Sequence, residues 1–284
     1  MNGTQKSHSS SDSAEEDVPV RHYDLKNRLI SWFSRTFFDH ITYTVRHGLL
    51  QGMKRKGGLG WLPPALARED ASAESKFWNE VSLDGLTVYD VGAFHGLLTL
   101  LFASRARRVV SFEPNSRNYA RPMENIALNG LQNVEVRRVG VGSKPETRDM
   151  VASPLSPGGA SLDSGMASGL RNSGTETLTE EISIVSLDDD IRSRNLPKPN
   201  FIKIDVEGWE LEVLRGAQAT LSDCKPILFI EMHGETIREK KRKVAEIVDF
   251  LWAANYRSIV HVETGKTITP ENSAVAIRGH LHCR

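Results

Sequence analysis

From Leu86 onward the chain alternates short apolar runs with amphipathic helical patterns, and that alternation leaves few folds open. The runs are Thr87 to Val91, Arg108 to Phe112, Val134 to Val139, Phe201 to Val206 and Ile227 to Met232. Between and after them lie helical stretches at Leu97 to Ser104, Ser116 to Asn129, Trp209 to Leu221 and Glu235 to Ala254. Short strands that are apolar throughout belong in a parallel sheet covered by helices on both faces. Tyr256 to Val262 and Ala274 to Arg278 follow the last long helix with only a glycine-containing turn between them, so a terminal hairpin with an antiparallel strand is expected. The expected fold class is α/β, with a mostly parallel seven-stranded sheet, an antiparallel strand near the C-terminus and a helical extension before it.

Bulk properties narrow the partners. Lys plus Arg and Asp plus Glu are equal at 36 each, so net charge gives no reason to expect nucleic acid. Cys224 and Cys283 form no metal spacing and no disulfide framework, which suits a reducing, cytoplasmic setting. No apolar run approaches the roughly 18 residues of a membrane span. Residues 1–20 are polar and rich in Ser, Asp and Glu, and read as a disordered tail. Residues 21–85 read as a helical extension and linker, and 86–284 as the main domain. In the extension Leu25, Leu29, Trp32, Phe33, Phe37 and Ile41 recur every three or four residues, with Lys26, Arg28 and Arg35 beside them and the cluster Lys54, Arg55, Lys56 beyond. That pattern fits a helix capping its own core, or a basic amphipathic segment touching a membrane surface. The run from Gly57 to Pro64 then reads as a linker.

Function should lie at the carboxyl ends of the strands, where open α/β sheets bind their ligands. The first tip reads Asp90-Val91-Gly92-Ala93-Phe94-His95-Gly96. Gly92 permits a tight turn close to a ligand, and Gly96 lets the next helix start close to the strand. The adjoining strand ends in Glu113-Pro114, 23 residues after Asp90, where a carboxylate accepts hydrogen bonds from two ribose hydroxyls. Gly-x-x-x-Gly is not the dinucleotide fingerprint Gly-x-Gly-x-x-Gly. Asp90 would also repel a pyrophosphate and attract an ammonium group. A ribose together with an amino-acid head describes S-adenosylmethionine, with Asp90, Gly92, Ala93, Gly96, Glu113 and Pro114 as its candidate binding residues. His95, a lone histidine near a helix start, reads as a loop-shaping or solvent-facing residue rather than a catalyst.

The second tip, Lys203-Ile204-Asp205-Val206-Glu207-Gly208-Trp209-Glu210, stands beside a third, Glu231-Met232-His233-Gly234. Alternation puts Lys203 and Asp205 on one strand face. Asp205, Glu207, Glu231 and His233 are the candidate catalytic residues, with Asp205 or His233 as base and the two glutamates orienting it or binding hydroxyls. Glu210 reads as an acid favoured by the helix dipole. Oxygen ligands of this kind suit a magnesium-type divalent cation, but no metal ligand is assigned.

These blocks, Ile204-Asp205-Val206-Glu207-Gly208-x-Glu210 followed by Leu214-Arg215-Gly216-Ala217, with the Asp90 to Gly96 turn and Glu113-Pro114, resemble the FkbM-type methyltransferase family over about Leu86 to His233. The resemblance implies a class I, Rossmann-like S-adenosylmethionine-dependent fold and O-methylation of a hydroxyl on a sugar, glycan, lipid or polyketide-type small molecule. It implies donor binding by Asp90, Gly92, Gly96 and Glu113, and matches Asp205 and Glu207 to the family's acidic block. The family commonly has Asn where this chain has Phe94. Two other functions compete: a donor-binding scaffold or membrane-associated adaptor, suggested by the basic extension, and a nicotinamide oxidoreductase, opposed by the glycine spacing. The stretch from Ala152 to Thr179, rich in Ser, Gly, Thr and Pro, reads as a long irregular loop that is either a lid or merely mobile, with an extra strand at Ile182 to Leu187 and a short helix near Asp188 to Arg194 after it.

Overall fold

The computed structural model describes residues 40–57, 72–153, 160–172 and 176–284. The tail, the linker after Gly57 and the expected helix from Leu25 lie outside these residues, except that His40 and Ile41 at the helix's expected end are not helical. Two short strands, β1 (Thr42–Thr44) and β2 (Lys54–Lys56), pair antiparallel. The basic cluster of β2 is fastened to the rest of the molecule: Asn129 and Asn125 accept from the backbone of Lys54 and Lys56, and Lys56 meets Glu124 at 2.7 Å.

Helix α1 (Ala73–Glu80), capped by Ser72, delivers Trp78 into the core. Trp78 is fully buried, with ring centroids 4.4 Å from Phe229 and 5.1 Å from Phe102. It lies upstream of the domain start expected at residue 86, yet it fills one face of the sheet. We expect Trp78→Ala to cost about 3–5 kcal/mol in denaturant unfolding.

The core then runs β3 (Thr87–Val91), α2 (Leu97–Arg105), β4 (Arg108–Phe112), α3 (Ser116–Leu128), β5 (Val134–Arg137), β6 (Gly140–Val141), β7 (Glu146–Ala152), β8 (Ala160–Ser161), α4 (Ser164–Asn172), β9 (Leu178–Val185), α5 (Leu187–Arg194), β10 (Phe201–Ile204), α6 (Glu210–Arg215), α7 (Gln218–Cys224), β11 (Ile227–Glu231), α8 (Ile237–Ala253), β12 (Ile259–His261) and β13 (His280–Cys283). Seven strands form one sheet in the order β12-β13-β11-β10-β3-β4-β5. β13 is antiparallel to both neighbours, whereas β11, β10, β3, β4 and β5 pair parallel. The order reverses between β3 and β10, so their carboxyl ends open a crevice.

Alternation along the strands splits the core. Tyr89, Val91, Ile202 and Ile204 face one apolar cluster, and Val88, Phe201 and Phe229 face the other together with Trp78 and Phe102. On that second face the ladder places Asp90 opposite both Lys203 and Ser111.

Three expectations change. The second terminal strand is His280–Cys283, while most of Ala274 to Arg278 belongs to a 3-10 helix at Pro270–Ala276, opened by a capping box at Thr269. The helix expected from Trp209 to Leu221 is two helices, because a Cβ at Gly216 would lie 1.9 Å from the Gly142 carbonyl oxygen and the backbones meet there. The stretch from Ala152 to Thr179 is not one irregular loop. It contains β8 and α4 and joins a second sheet ordered β6-β9-β7-β8. Met166, Ala167 and Leu170 recur at helical spacing among small polar residues and are buried.

Candidate functional site

The tips of β3, β4, β10 and the second sheet enclose a cleft of about 720 Å³, solvent space at its mouth included. Its walls are Gly92, Phe94, Glu113, Pro114 and Asn118 on one side and Asp205, Val206, Glu207 and Trp209 on the other, with Val139, Val141, Met150 and Leu162 between. Two of these residues have left-handed backbones without being glycine: Phe94 at φ 50° and Glu207 at φ 53°. Such strain of about 1–3 kcal/mol collects at functional sites.

Glu113 anchors the first side. It is 5% exposed, and its two oxygens accept from the backbone N–H of Phe94 at 2.8 Å and of Asn115 at 2.9 Å. Burial pushes its carboxyl up to about 7, against the pull of those two N–H groups. Gly92 and Pro114 line the cleft beside it, whereas Ala93 and Gly96 do not. Both glycines have positive φ, but what their missing Cβ atoms permit is packing. A Cβ at Gly92 would stand 1.8 Å from the Asp205 carbonyl oxygen, and one at Gly96 would stand 2.8 Å from the Pro122 side chain on α3. The first glycine clamps two strand tips together, and the second seats α2 against α3.

Asp90 lies behind this turn, fully buried and away from the cleft. Thr99 Oγ1 donates to it at 2.6 Å, and Lys203 Nζ stands 3.3 Å away. Lys203 in turn donates to the Gly92 carbonyl at 2.7 Å and meets Asp205 at 3.2 Å. Burial opposes the lysine charge, yet Asp205 and Asp90 hold its pKa above the ordinary value. One ammonium group therefore ties the glycine turn to the acidic tip. Sequence placed Lys203 on the correct face, and only the parallel register revealed what it joins.

At the acidic tip the side chain of Asp205 keeps 30% of its surface open, and Glu207 keeps 16%. Burial raises the Asp205 carboxyl above the ordinary range, with Lys203 opposing. His233 and Glu231 converge on these two from behind and do not line the cleft. His233 Nε2 lies 3.4 Å from Glu207, 3.5 Å from Glu231 and 3.8 Å from Asp205, while Nδ1 bonds Glu210 at 2.8 Å. Burial alone would strip the imidazole of its proton. The Glu207 charge and the bonds to Glu210 and Glu231 outweigh it and hold the pKa well above the ordinary value. Burial likewise pushes the Glu231 carboxyl up, but His233 and His280 pull it below its usual range.

Glu210, read from sequence as a helix-dipole acid, is 1% exposed and also accepts from the Gly208 N–H at 2.9 Å. Its partner, 23 residues away, leaves no mark in the local sequence. The second sheet leans on the same tip. Ser161 donates to the Glu207 carbonyl at 2.7 Å, and Asp163 meets Lys243 at 2.9 Å. His95 stacks on Phe94, with centroids 3.8 Å apart.

Residues 90–258 match the family described as the methyltransferase FkbM domain. The chain is 31% identical over 146 residues to the hexuronic acid methyltransferase AglP of Haloferax volcanii, covering 51% of this chain and 55% of that protein. It is 27% identical over 146 residues to methyltransferase 1 of Beauveria bassiana, covering 47% of this chain and 59% of that protein. The chain thus spans little more than half the length of these relatives. The crystal structure of methyltransferase FkbM from Methylobacillus flagellatus superposes with a TM-score of 0.45 at 19% identity, covering 70% of this chain and 44% of that one. Among the described residues no helix is long and apolar enough to cross a membrane.

Proposed function

This chain belongs to the FkbM methyltransferase family, and on that premise we propose that it is an S-adenosylmethionine-dependent O-methyltransferase acting on a hydroxyl of a sugar, glycan, lipid or polyketide-type small molecule. The observation that carries the reading is Glu113, a carboxylate 5% exposed that nevertheless forms part of the wall of an open cleft. Backbone N–H groups fix both of its oxygens, and the Asn118 amide donates to one of them at a longer 3.4 Å, a weak bond that a ribose hydroxyl displaces when the pair of hydroxyls binds the carboxylate. Phe94, Pro114 and Asn118 offer flat and polar surface for its base, and the turn at Gly92 receives the tail. Asp90 serves this turn from behind, by holding Lys203 on the Gly92 carbonyl.

Bound there, the donor supplies a methyl group already activated by its sulfonium. The chain must then exclude water, align the hydroxyl and accept its proton. Val139, Val141, Met150 and Leu162 make the middle of the cleft apolar. Asp205 and Glu207 are the carboxylates of the β10 tip that line the cleft, so Asp205 takes the proton and Glu207 holds a neighbouring hydroxyl. His233 and Glu231 orient them and touch no acceptor. The relative named for hexuronic acid favours a sugar as acceptor. Residues 86–284 form the catalytic domain in this reading, with 21–85 an extension that lends it α1 and 1–20 a tail.

Calorimetry with S-adenosylhomocysteine tests the donor site. The native protein should bind it, and Glu113→Gln should weaken binding about a hundredfold, as expected for two hydrogen bonds to a charged group. The charge-assisted bonds to the ribose need the ionised carboxylate, so native affinity should fall up to about tenfold between pH 8 and pH 6, through the Glu113 pKa of about 7, and the variant should lose that dependence. Stability should move the other way. A carboxyl whose folded pKa lies above its value of 4.5 costs stability progressively as pH rises from 4.5 through 7, so the difference in unfolding temperature between Glu113→Gln and the native protein should move in the variant's favour from pH 4 to pH 8. Binding of NADH in place of S-adenosylhomocysteine would end the proposal.

A further inference from the structure

The reaction tip carries a ligand set that proton transfer alone does not require. Asp205, Glu231 and His233, from the ends of two adjacent strands, each present one donor atom, and these atoms all lie within 4.8 Å of one another. Acids clustered at a strand tip would mean little on their own. The imidazole adds a separate observation.

His233 is 6% exposed, and its two ring nitrogens are treated differently. Nδ1 makes a 2.8 Å bond to Glu210, a buried residue outside the triad. Nε2 faces Glu207, Glu231 and Asp205 at 3.4, 3.5 and 3.8 Å, beyond the roughly 2.7–3.2 Å of an N–H···O hydrogen bond. The ring is therefore held closely through Nδ1, while Nε2 meets three carboxylates only at the longer distances of ion pairs. Donor atoms about 2.1 Å from one divalent ion stand roughly 3.0–3.4 Å apart along an octahedral or tetrahedral edge, and the two gaps from Nε2, 3.5 Å to Glu231 and 3.8 Å to Asp205, lie within a few tenths of an ångström of that range. A carboxylate on the far nitrogen of a metal-binding imidazole is the usual support for that bond, because it fixes the tautomer and the ring's direction.

We infer that Asp205, Glu231 and His233 bind one divalent cation of the first transition row, manganese or zinc, with Glu210 positioning the imidazole. One nitrogen and two carboxylate oxygens favour such ions over calcium, which prefers oxygen alone. The inference deepens the proposed acceptor site and rests on that reading for its chemistry, though not for ion binding. Asp205 faces the cleft, so the cation's open positions receive the acceptor hydroxyl and a neighbouring one. Its charge weakens the O–H bond. Asp205 is then a ligand, and Glu207 takes the proton while the oxygen forms its bond to the methyl carbon. The carbon–sulfur bond breaks, and its electron pair stays on sulfur as the neutral thioether.

The test uses the full chain, freed of ions by chelation and titrated with manganese, zinc and calcium chlorides by calorimetry. Electron spin echo spectra of the manganese form supply a second readout. One manganese or zinc ion per chain should bind more tightly than calcium, with nitrogen modulation from a coordinated imidazole. Glu231→Gln should weaken binding at least a hundredfold, and His233→Gln should abolish the nitrogen signal. Glu210→Gln, which removes no ligand, should weaken binding 10- to 100-fold. S-adenosylhomocysteine titrations of the same samples report whether each variant has kept its donor cleft, so a failure of the donor reading is seen separately. Absence of ion binding to the native chain overturns the inference. So does manganese binding without nitrogen modulation, or with equal affinity in Glu231→Gln.

Discussion

Asp205→Asn should reduce methyl transfer by about 10³-fold or more while S-adenosylhomocysteine affinity stays within a few fold of native. Of the two acids that the β10 tip brings to the cleft, Asp205 is the more exposed at 30%, against 16% for Glu207, and it is the one held by Lys203 at 3.2 Å. Asparagine keeps the shape and removes the charge. Neither a proton acceptor nor a good cation ligand then remains at that position, so the loss is expected whichever of the two roles Asp205 plays. Donor binding should survive because Glu113 stands at the tip of β4, separated from the β10 tip by β3, and is fixed by its own backbone donors. The measurement is transfer of a tritiated methyl group to a panel of sugars, lipids and polyketides, paired with calorimetry. Turnover unchanged from native would remove Asp205 from the chemistry.

Gly92→Ala should be the most damaging glycine-to-alanine substitution among the described residues, since it combines a positive φ with the nearest backbone neighbour. Its φ of 83° alone costs an L-residue roughly 1–2 kcal/mol. The added Cβ would also sit 1.8 Å from the Asp205 carbonyl oxygen and 2.9 Å from its carbon, and backbone cannot swing aside as a side chain can. A total loss of at least about 3 kcal/mol is expected, or a displaced β10 tip that binds no S-adenosylhomocysteine. Gly130→Ala is the control. It has φ 63° but nothing within 4 Å of the added atom, so it should cost only the backbone term, about 1–2 kcal/mol. Equal stability of the two variants in denaturant would show that the tips of β3 and β10 do not need this contact.

The two glycines illustrate how far local reading reaches. The tight turn at Gly92 and the close helix start at Gly96 were legible in Asp90-Val91-Gly92 and Gly96, because a strand-to-helix turn demands them, whereas their positive φ is a finding of the structure. The neighbour that forbids a Cβ was not legible, since Asp205 is 113 residues away and Pro122 lies on another helix. Glu113 was found because strand and helix lengths in a parallel sheet fix where the next tip falls. Glu210 and Lys203 were undervalued for the opposite reason. Their partners, His233, Asp90 and the Gly92 carbonyl, arrive through strand pairing.

His233 marks the limit most clearly. From its position after Glu231 it reads equally well as base or orienter, and its neighbourhood decides: four carboxylates surround it and it does not line the cleft. The stretch after Ala152 misled because low hydrophobicity hides a helix whose buried face needs only Met166, Ala167 and Leu170. In the terminal hairpin, Pro270 starts a 3-10 turn and pushes the strand four residues beyond Ala276, to His280.

The sequence by itself determined the alternating α/β order, the mostly parallel sheet with its late antiparallel strand, the positions of the tips and the acids they carry. Those properties follow from hydrophobic period and chain length, which act over a few residues. Tertiary structure alone decided which charges meet: Asp90 turned inward onto Lys203, Glu113 left in the wall of the cleft, and Glu210 set behind His233. Coulombic and hydrogen-bond energies depend on separation in space, and residues distant along the chain acquire a fixed separation only when the sheet register is closed.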